Sequence, residues 1–516
     1  MPARNQPSSP KDSSRQRTHQ RNSKRAFTHS LLALLLALSL GLAQAAAQQG
    51  PAGTPPSSGP STAPQPQQKP PAEHASSAPQ QKLSPAQAEE LFRSVDEILQ
   101  FASKDTSFPI KHEVKRKLVS REEVEAFVSQ HITEDEDAKR LRRSELVLKK
   151  FGLLPREFDL GKFLVALLKE QVAGYYDPKT KTVNLLDWLD PEQQKPVLAH
   201  ELTHALQDQS FGLEKFMKAT EIDLEKKKKV STEDIENDEI SAARQAIVEG
   251  QAMVVLIDYM LKPFGQSLAT APQMVGALKQ GMLAGTADSG QFRGAPLYIK
   301  EAVTFPYRYG IDFVGQVLAK GDKQKAFAGL LENPPRSTRQ IMEPDAYLTH
   351  ENLEPMRLPD LKEIFKNYDR FDIGAIGEFD VSVIVDQYAG AEASHALYPH
   401  WRGGYYYAAR PKGRPDAPLS LLYVSRWSNA EHAAEFAAIY AKALSKRYER
   451  LQDAPEDGKQ APIAALQTLT GKREWLTEEG PIVIDAQGDT VVITESFDQQ
   501  VAERVEAEVF GAAAAK

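Results

Sequence analysis

The stretch PVLAHELTHALQDQSFGL, residues 196–213, contains a His-Glu-x-x-His pattern within a helical distribution of apolar residues. Gly212 is a typical residue for the end of such a helix. Helical residues four positions apart share one face, so His200 and His204 would present two imidazole nitrogens to one ion. Glu201 lies about 100° around the helix, where it can reach a metal-bound water without being a ligand. The pattern predicts a zinc site on one helical turn.

A zinc site of this kind needs a third protein ligand. The chain has no cysteine, which excludes thiolate ligands, and the residue six positions after His204 is Ser210 rather than another histidine. Glu249 is embedded in the apolar run AIVEGQAMVVLI, where a carboxylate is costly to bury unless it is paired or binds a cation. We therefore predict one Zn²⁺ per chain, bound by His200, His204 and Glu249. The alternatives for Glu249 are a solvent-facing position and an ion pair with an arginine.

Further side chains are expected to serve the reaction. Glu201 would act as the general base towards the metal-activated water. A hydroxyl group would stabilise the oxyanion, and the candidate donors are three tyrosines: Tyr176, Tyr307 and Tyr309. The alternative for each tyrosine is a packed position in the core. Asp208 follows His204 by one turn on the same helix face, so it either orients a ligand imidazole or sits at a fraying helix end.

The extended pattern resembles the gluzincin metallopeptidases, in which His-Glu-x-x-His is completed by a glutamate on a later helix. It is most similar to a group of exported bacterial zinc peptidases related to the gluzincins. The segments that carry this resemblance, all within about residues 156–350, are GYYDPKTKTVNLL, LAHELTHALQDQ, VEGQA, FPYRYG and PPRSTRQIM. The resemblance implies a zincin-like catalytic domain, in which the hairpin before the active helix is the edge strand that binds substrate.

The chain departs from this group at two positions. Gln251 stands where the group often has an aspartate two residues after the ligand glutamate, and Glu343 precedes Pro344 where the group often has a histidine. Neither departure changes the predicted ligands. Both concern the surroundings of the metal or the contacts to substrate.

The N-terminal region is expected to direct export. Residues 30–47 are apolar, follow a basic stretch and end in small-x-small cleavage patterns, so residues 1–47 are predicted to be a secretory signal peptide. Their apolar run is shorter than the roughly 20 residues that span a bilayer; an uncleaved signal anchor is the alternative. Residues 48–83, rich in Pro, Gln and Ser, are predicted to be a disordered linker. The mature protein would be periplasmic or secreted.

The predicted fold class is α+β, with a mainly helical zincin-like domain over residues 84–350 and a smaller α+β domain over residues 351–516. The first domain would begin with a capped helix at Ser84, include three or four helices before residue 171, and continue with a hairpin over residues 172–186. A long apolar helix would begin near Asp238 and carry Glu249.

The pattern of residues 351–516 indicates sheet-forming segments around helices. GGYYYAARP and PLSLLYVSRW are typical of strands, and NAEHAAEFAAIYAKALSKRYE is typical of an amphipathic helix. GPIVIDAQGDTVVITES predicts a hairpin that turns at Gly488, and a closing helix follows. This region contains no recognisable catalytic cluster.

Charge constrains the partners. The whole chain carries a net charge of −7, and without the basic leader the mature chain would carry about −13. Such an acidic chain is a poor candidate for binding nucleic acid. We expect a peptide or protein substrate, no nucleic acid, and no stable membrane span after signal cleavage.

The resulting hypothesis is an exported zinc-dependent peptidase. One alternative is a catalytically silent, zinc-stabilised binding or chaperone-like envelope protein; another is a hydrolase of a different amide, such as one in the cell wall. The helices from Ser84 onward could cover the site in a self-inhibited precursor.

Overall fold

The computed structural model describes residues 82–133, 135–171, 174–218, 230–274, 276, 279–280, 290–453 and 461–513. The predicted signal peptide, and all but the last two residues of the predicted linker, lie outside the described residues. Helices and two β-sheets make up the described part, so the predicted α+β class is confirmed.

The elements up to residue 350 are mainly helical. In chain order they are α1 (Pro85–Thr106), β1 (Lys115–Val119), α2 (Arg121–Thr133), α3 (Asp135–Lys150), α4 (Leu160–Gln171), β2 (Tyr175–Asp177), β3 (Thr182–Leu186), α5 (Pro191–Phe211), α6 (Leu213–Lys218), α7 (Thr232–Ile235), α8 (Asn237–Leu261), α9 (Gly290–Arg293), α10 (Leu297–Lys320), α11 (Leu330–Glu332), α12 (Thr338–Met342) and α13 (Pro344–Leu348). A π-helical turn over Lys325–Gly329 precedes α11.

The first helix begins where the sequence predicts. Ser84 accepts a hydrogen bond from the backbone N–H of Gln87, and the side chain of Gln87 accepts one from the N–H of Ser84. Pro85 occupies the first turn, where its missing N–H costs nothing.

A three-stranded sheet lies beside the motif helix, in the order β1-β3-β2. Strands β2 and β3 form the predicted hairpin, and the Asp177 carboxylate accepts hydrogen bonds from Lys179 N at 2.9 Å and Thr180 Oγ1 at 2.7 Å in its turn. Strand β1 pairs parallel with β3, from Lys115 opposite Thr182 onward. The sequence predicted only helices before residue 171, so β1 was missed.

Three long helices form the centre of the first region. Helix α8 packs against α5 on one side and against α10 on the other. At the α8–α10 crossing, a Cβ added to Gly250 would overlap the backbone of Gly310, and one added to Gly310 would overlap the Ala246 carbonyl. The two glycines therefore allow the closest backbone approach directly beside Glu249.

One described helix is long and apolar enough to cross a membrane. It is α8 with the 3₁₀ turn that extends it, Asn237–Phe264, with a mean hydropathy of 1.3 over its most apolar window. Of that window, 78% is buried inside the protein. We therefore interpret it as a core helix.

The remaining elements build a seven-stranded sheet flanked by helices. They are α14 (Leu361–Ile364), β4 (Tyr368–Ala375), α15 (Glu378–Ala389), α16 (Ala391–Leu397), β5 (Trp401–Pro411), β6 (Ser420–Trp427), α17 (Ala430–Arg447), β7 (Leu451–Asp453), β8 (Gly471–Thr477), β9 (Gly480–Gln487), β10 (Thr490–Glu495) and α18 (Gln499–Ala513). The order is β4-β5-β6-β10-β9-β8-β7, with every pair antiparallel. The strands expected in β5 and β6, helix α17 and the hairpin at Gly488 are present.

The two regions share one apolar core. Phe151, just after α3, makes edge-on ring contacts with Tyr406 at 6.0 Å and Tyr423 at 5.5 Å in the large sheet. The largest cluster of buried apolar residues is continuous from Leu91 to Ile493.

Buried ion pairs also join the regions. Lys150 Nζ lies 2.8 Å from Glu479 and 3.8 Å from Glu495. The Glu495 carboxylate also accepts hydrogen bonds from Tyr440 Oη at 2.7 Å and from Arg447 at 2.6 Å.

A second buried junction centres on Arg339 in α12. Its guanidinium donates to Glu351 at 2.7 Å and to Glu378, at the start of α15, at 2.7 Å. Its neighbour Thr338 donates to Glu239 in α8 through both N–H and hydroxyl, at 2.9 and 2.8 Å.

We predict that Lys150→Ala destabilises the protein by about 1–3 kcal/mol, because it removes the buried charged hydrogen bonds to Glu479 and Ser496 and leaves Glu495 with Arg447 as its cation. Urea unfolding would measure the loss. Lys162→Ala is the control, since Lys162 is 87% exposed and pairs with Asp159 on the surface; its effect should stay below about 1 kcal/mol. Equal stability of the two variants would contradict the role of Lys150.

Glu239 provides a pH-dependent contribution to stability. Burial, together with the charge of Asp380, raises the pKa of its carboxyl from 4.5 to about 8. The folded state therefore keeps this proton through a range in which the unfolded chain loses it. Stability from this group is present below pH 4.5 and is lost as the pH rises towards 8.

At pH 9, Glu239→Gln should consequently be more stable than wild type by on the order of a few kcal/mol in unfolding free energy, and should unfold at a higher temperature. The amide keeps an oxygen that can accept from Thr338. The gain should vanish near pH 4.5, where both side chains are neutral in the folded protein. Calorimetry across this range tests the expectation, with Glu89→Gln on the exposed face of α1 as control; a gain independent of pH would refute it.

Candidate metal centre

Helix α5 presents the motif. Asp190 caps its first turn by accepting a hydrogen bond from Glu192 N at 2.9 Å, and Pro191 occupies the first helical position. The helix ends at Gly212, whose φ of 68° is the left-handed conformation that suits glycine. The end at Gly212 was predicted from the sequence, whereas the Asp190 cap was not. Nearly every side chain of residues 196–208 is buried, so the helix runs through the core.

The three predicted ligands converge. His200 Nε2 lies 3.0 Å from His204 Nε2 and 3.2 Å from Glu249 Oε2, and His204 Nε2 lies 3.6 Å from the same oxygen. Ligand atoms about 2.0–2.1 Å from a tetrahedral zinc ion would lie roughly 3.3 Å apart. The three separations therefore match the edges of a tetrahedron around one ion.

The cluster is enclosed. The exposed fraction is 1% for His200 and 0% for both His204 and Glu249. Within the described residues, neither carboxylate oxygen of Glu249 accepts a hydrogen bond, and its ion-pair partners are the two histidines. The alternatives of a solvent-facing glutamate and an arginine partner therefore do not describe this side chain.

Burial and the Glu249 carboxylate act in opposite directions on the protonation of the two imidazoles. Burial, with the charge of His204, lowers the pKa of His200 to about 4. Burial also acts to lower the pKa of His204, but the charge of Glu249 outweighs it and raises that pKa. Against its own burial, the two imidazoles hold the pKa of Glu249 below 4.5.

This donor set fits a divalent metal ion. Two imidazole nitrogens and one carboxylate oxygen, all within 4.8 Å of one another, offer three ligand atoms. A buried carboxylate without hydrogen bonds is costly unless a cation is present. The group His200, His204 and Glu249 could therefore hold a metal ion, and its nitrogen and oxygen donors suit zinc.

Glu201 connects the motif helix to the hairpin. It is 1% exposed, and its Oε2 accepts a hydrogen bond from the backbone N–H of Tyr176 in β2 at 2.7 Å. This contact fixes the carboxylate between the ligand helix and the edge strand.

Asp208 contacts the hairpin rather than an imidazole. Its Oδ2 accepts hydrogen bonds from Tyr176 Oη at 2.8 Å and from Lys181 Nζ at 2.6 Å, and its Oδ1 accepts from Leu213 N at 3.1 Å. It thereby fastens β2 to α5 and supports the contact between Tyr176 and Glu201.

The three candidate tyrosines occupy different places. The hydroxyl proton of Tyr176 is donated to Asp208, and burial raises the pKa of this phenol, so its contribution to the site is its backbone N–H. Tyr307 is buried on α10, one turn before Gly310 and hence towards α8. Tyr309 packs against Phe305, with a ring separation of 5.4 Å. The role of a tyrosine as oxyanion donor stays a prediction.

Gln207 was missed at the sequence level. Its Oε1 lies 2.9 Å from His204 Nδ1, so it makes the contact to a ligand imidazole that was considered for Asp208. The available signal was its position three residues after His204, which places both on neighbouring parts of one helix face.

Comparisons of the chain with protein-family models, with curated proteins and with solved structures found no match. The functional assignment therefore depends on the geometry of the site.

We predict that the wild-type protein binds one Zn²⁺ per chain and that Glu249→Ala weakens binding by more than roughly 100-fold, because removal of a ligand should exceed the effect of removing a supporting contact. Elemental analysis after dialysis gives the stoichiometry. Glu236→Ala, just before the same helix and partly exposed, is the control and should keep the metal. A full equivalent of zinc in Glu249→Ala would exclude this residue as a ligand.

Proposed function

We propose that the protein is a zinc-dependent peptidase. The observation that carries the proposal is the convergence of His200, His204 and Glu249, with Glu201 on the same helical turn. Two ligands and a base on one turn, completed by a carboxylate from a second helix, suit the hydrolysis of an amide bond. Export of the mature chain remains part of the proposal.

The chain's own groups divide the work. A zinc ion at the site would lower the pKa of a bound water to about 7 and polarise the substrate carbonyl. Glu201 accepts the proton of the attacking water and delivers it to the leaving amine. The N–H of Tyr176 holds the Glu201 carboxylate at 2.7 Å, and the Asp208 carboxylate holds Tyr176 in turn.

Strand β2 supports a peptide substrate. It pairs with β3 on one side, and among the described strands none pairs with its other edge. An extended peptide can add to such an edge through backbone hydrogen bonds. Because Tyr176 in this strand contacts Glu201, a peptide added there would pass close to the base.

The burial of the site favours a second candidate. The side chains of the site are at most 1% exposed, so a polypeptide reaches them only after part of the structure moves. They are His200, Glu201, His204 and Glu249. A zinc-stabilised binding or chaperone-like protein needs no such opening. The presence of Glu201 favours the peptidase, because a purely structural site does not need a base. A closed site is also compatible with a self-inhibited precursor, which the sequence leaves open.

Glu201→Gln should retain zinc and lower the rate of peptide cleavage by about 100-fold or more, since a general base typically contributes that much. Digestion of a peptide library with and without chelator measures the activity, and elemental analysis measures the metal. Glu192→Gln is the matched control, because Glu192 lies on the same helix and is 71% exposed.

Two results would contradict the assignment. Cleavage by Glu201→Gln at the wild-type rate would exclude Glu201 as the base. A wild-type protein that binds zinc but cleaves no peptide, even after limited proteolysis to open the site, would favour the binding protein.

A further inference from the structure

A chain of side-chain amides extends from the metal cluster into the core. It begins at Gln251 in α8, whose Nε2 donates hydrogen bonds to the backbone carbonyls of Ala326 at 2.8 Å and Phe327 at 2.9 Å. Both carbonyls belong to the π-helical turn Lys325–Gly329. Carbonyl oxygens only accept hydrogen bonds, so the amide nitrogen of Gln251 must face them.

This orientation determines that of the next amide. Gln251 directs its Oε1 at Gln207 Nε2, at 2.9 Å, and the same nitrogen donates to the carbonyl of Val248 at 3.0 Å. With its nitrogen facing two acceptors, Gln207 presents its Oε1 to His204 Nδ1 at 2.9 Å.

The direction of these hydrogen bonds determines which nitrogen of His204 carries the proton. An amide oxygen only accepts, so Nδ1 of His204 must carry the proton. In the neutral ring, Nε2 then has its lone pair exposed. His204 Nε2 lies 3.0 Å from His200 Nε2 and 3.6 Å from Glu249 Oε2, so its lone pair is available at the candidate metal position between these three atoms.

We infer that Gln207 and Gln251 are positioning residues, which fix His204 in the tautomer that can bind a metal ion. The inference rests on the metal centre of the proposed function. Both glutamines are fully buried, so water does not compete for these hydrogen bonds. By contrast, within the described residues Nδ1 of His200 has no hydrogen-bond partner. The hydrogen-bonded chain Gln251–Gln207–His204, which we call the glutamine relay, therefore acts on only one of the two histidines.

Simple packing is the competing explanation, because the same contacts hold α5, α8 and the π-helical turn together. The two explanations differ in the imidazole itself. If the relay only packs the helices, His204 has no reason to lose its single tautomer when Gln207 is replaced by a side chain of similar volume. ¹⁵N chemical shifts of the histidine ring distinguish the two tautomers in the metal-free protein.

The experiment uses the full chain labelled with ¹⁵N-histidine. In wild type, at a pH at which the imidazole is neutral, His204 should be the Nδ1–H tautomer. Gln207→Met should give a mixture of tautomers and weaken zinc binding by about 10- to 100-fold. Gln207→Glu in its protonated form can accept from Nδ1–H with one oxygen and donate to the Val248 carbonyl or Gln251 Oε1 with its O–H, and should restore the tautomer and most of the zinc affinity. Gln209→Met is the matched control, because Gln209 lies on the same helix and bonds to the backbone of Lys111 and His112 instead.

Gln251→Met supplies an independent variant if Gln207→Met fails to fold. It removes one of the two acceptors that orient the Gln207 amide and leaves the Val248 carbonyl, so a smaller but measurable share of the other tautomer is expected. A single Nδ1–H tautomer and zinc affinity within twofold of Gln209→Met, in a variant whose metal-free melting temperature is close to that control, would overturn the relay and leave the metal centre intact. Failure of wild type to bind zinc would instead overturn the proposed function and the relay's purpose with it.

Discussion

The carboxylate of Glu249 lies in the interior with two imidazole nitrogens within 3.6 Å and no hydrogen bond from any described residue. A charge in such surroundings is expensive unless a cation neutralises it. The packing of helix α8 helps to hold Glu249 near the two histidines. Gly250, the residue after Glu249 in the chain, and Gly310 let α8 and α10 touch at their backbones. A side chain at either glycine would push the helices apart and move Glu249 away from the histidines.

The residues that follow the motif explain why its extended form is informative. Three consecutive side chains of α5 attach the helix to three different parts of the fold: Gln207 reaches α8, Asp208 holds the β2–β3 hairpin, and Gln209 holds the backbone after α1. The pattern of two histidines and Glu201 alone would fit many helices. The polar residues after them specify where this helix lies relative to the second ligand helix and the edge strand.

Local rules recovered much of this architecture. The Ser84 cap, the helix end at Gly212 and the convergence of Glu249 on the histidines follow from capping, conformational freedom and the cost of a buried charge. Strand β1 was not predicted, because its sequence KRKLV is highly charged and its partner strand β3 lies more than sixty residues later in the chain. The glutamine relay and the partners of Asp208 also depend on which elements lie opposite α5. Periodicity identifies the buried face of a helix but does not identify its neighbour.

The buried ion pairs at Lys150 and Arg339 indicate that the region before residue 351 depends on the region after it. Helix α8 carries Glu239 at its start and Glu249 about 15 Å further along its axis, and Thr338 beside Arg339 grips that start. A fragment ending at residue 350 would lack both carboxylates that pair with Arg339, and it would expose Phe151 by removing the rings of Tyr406 and Tyr423. An exposed aromatic side chain and a buried cation without its carboxylates favour aggregation of such a fragment. The described residues after position 350 therefore contribute to the stability of the region that holds His200, His204 and Glu249.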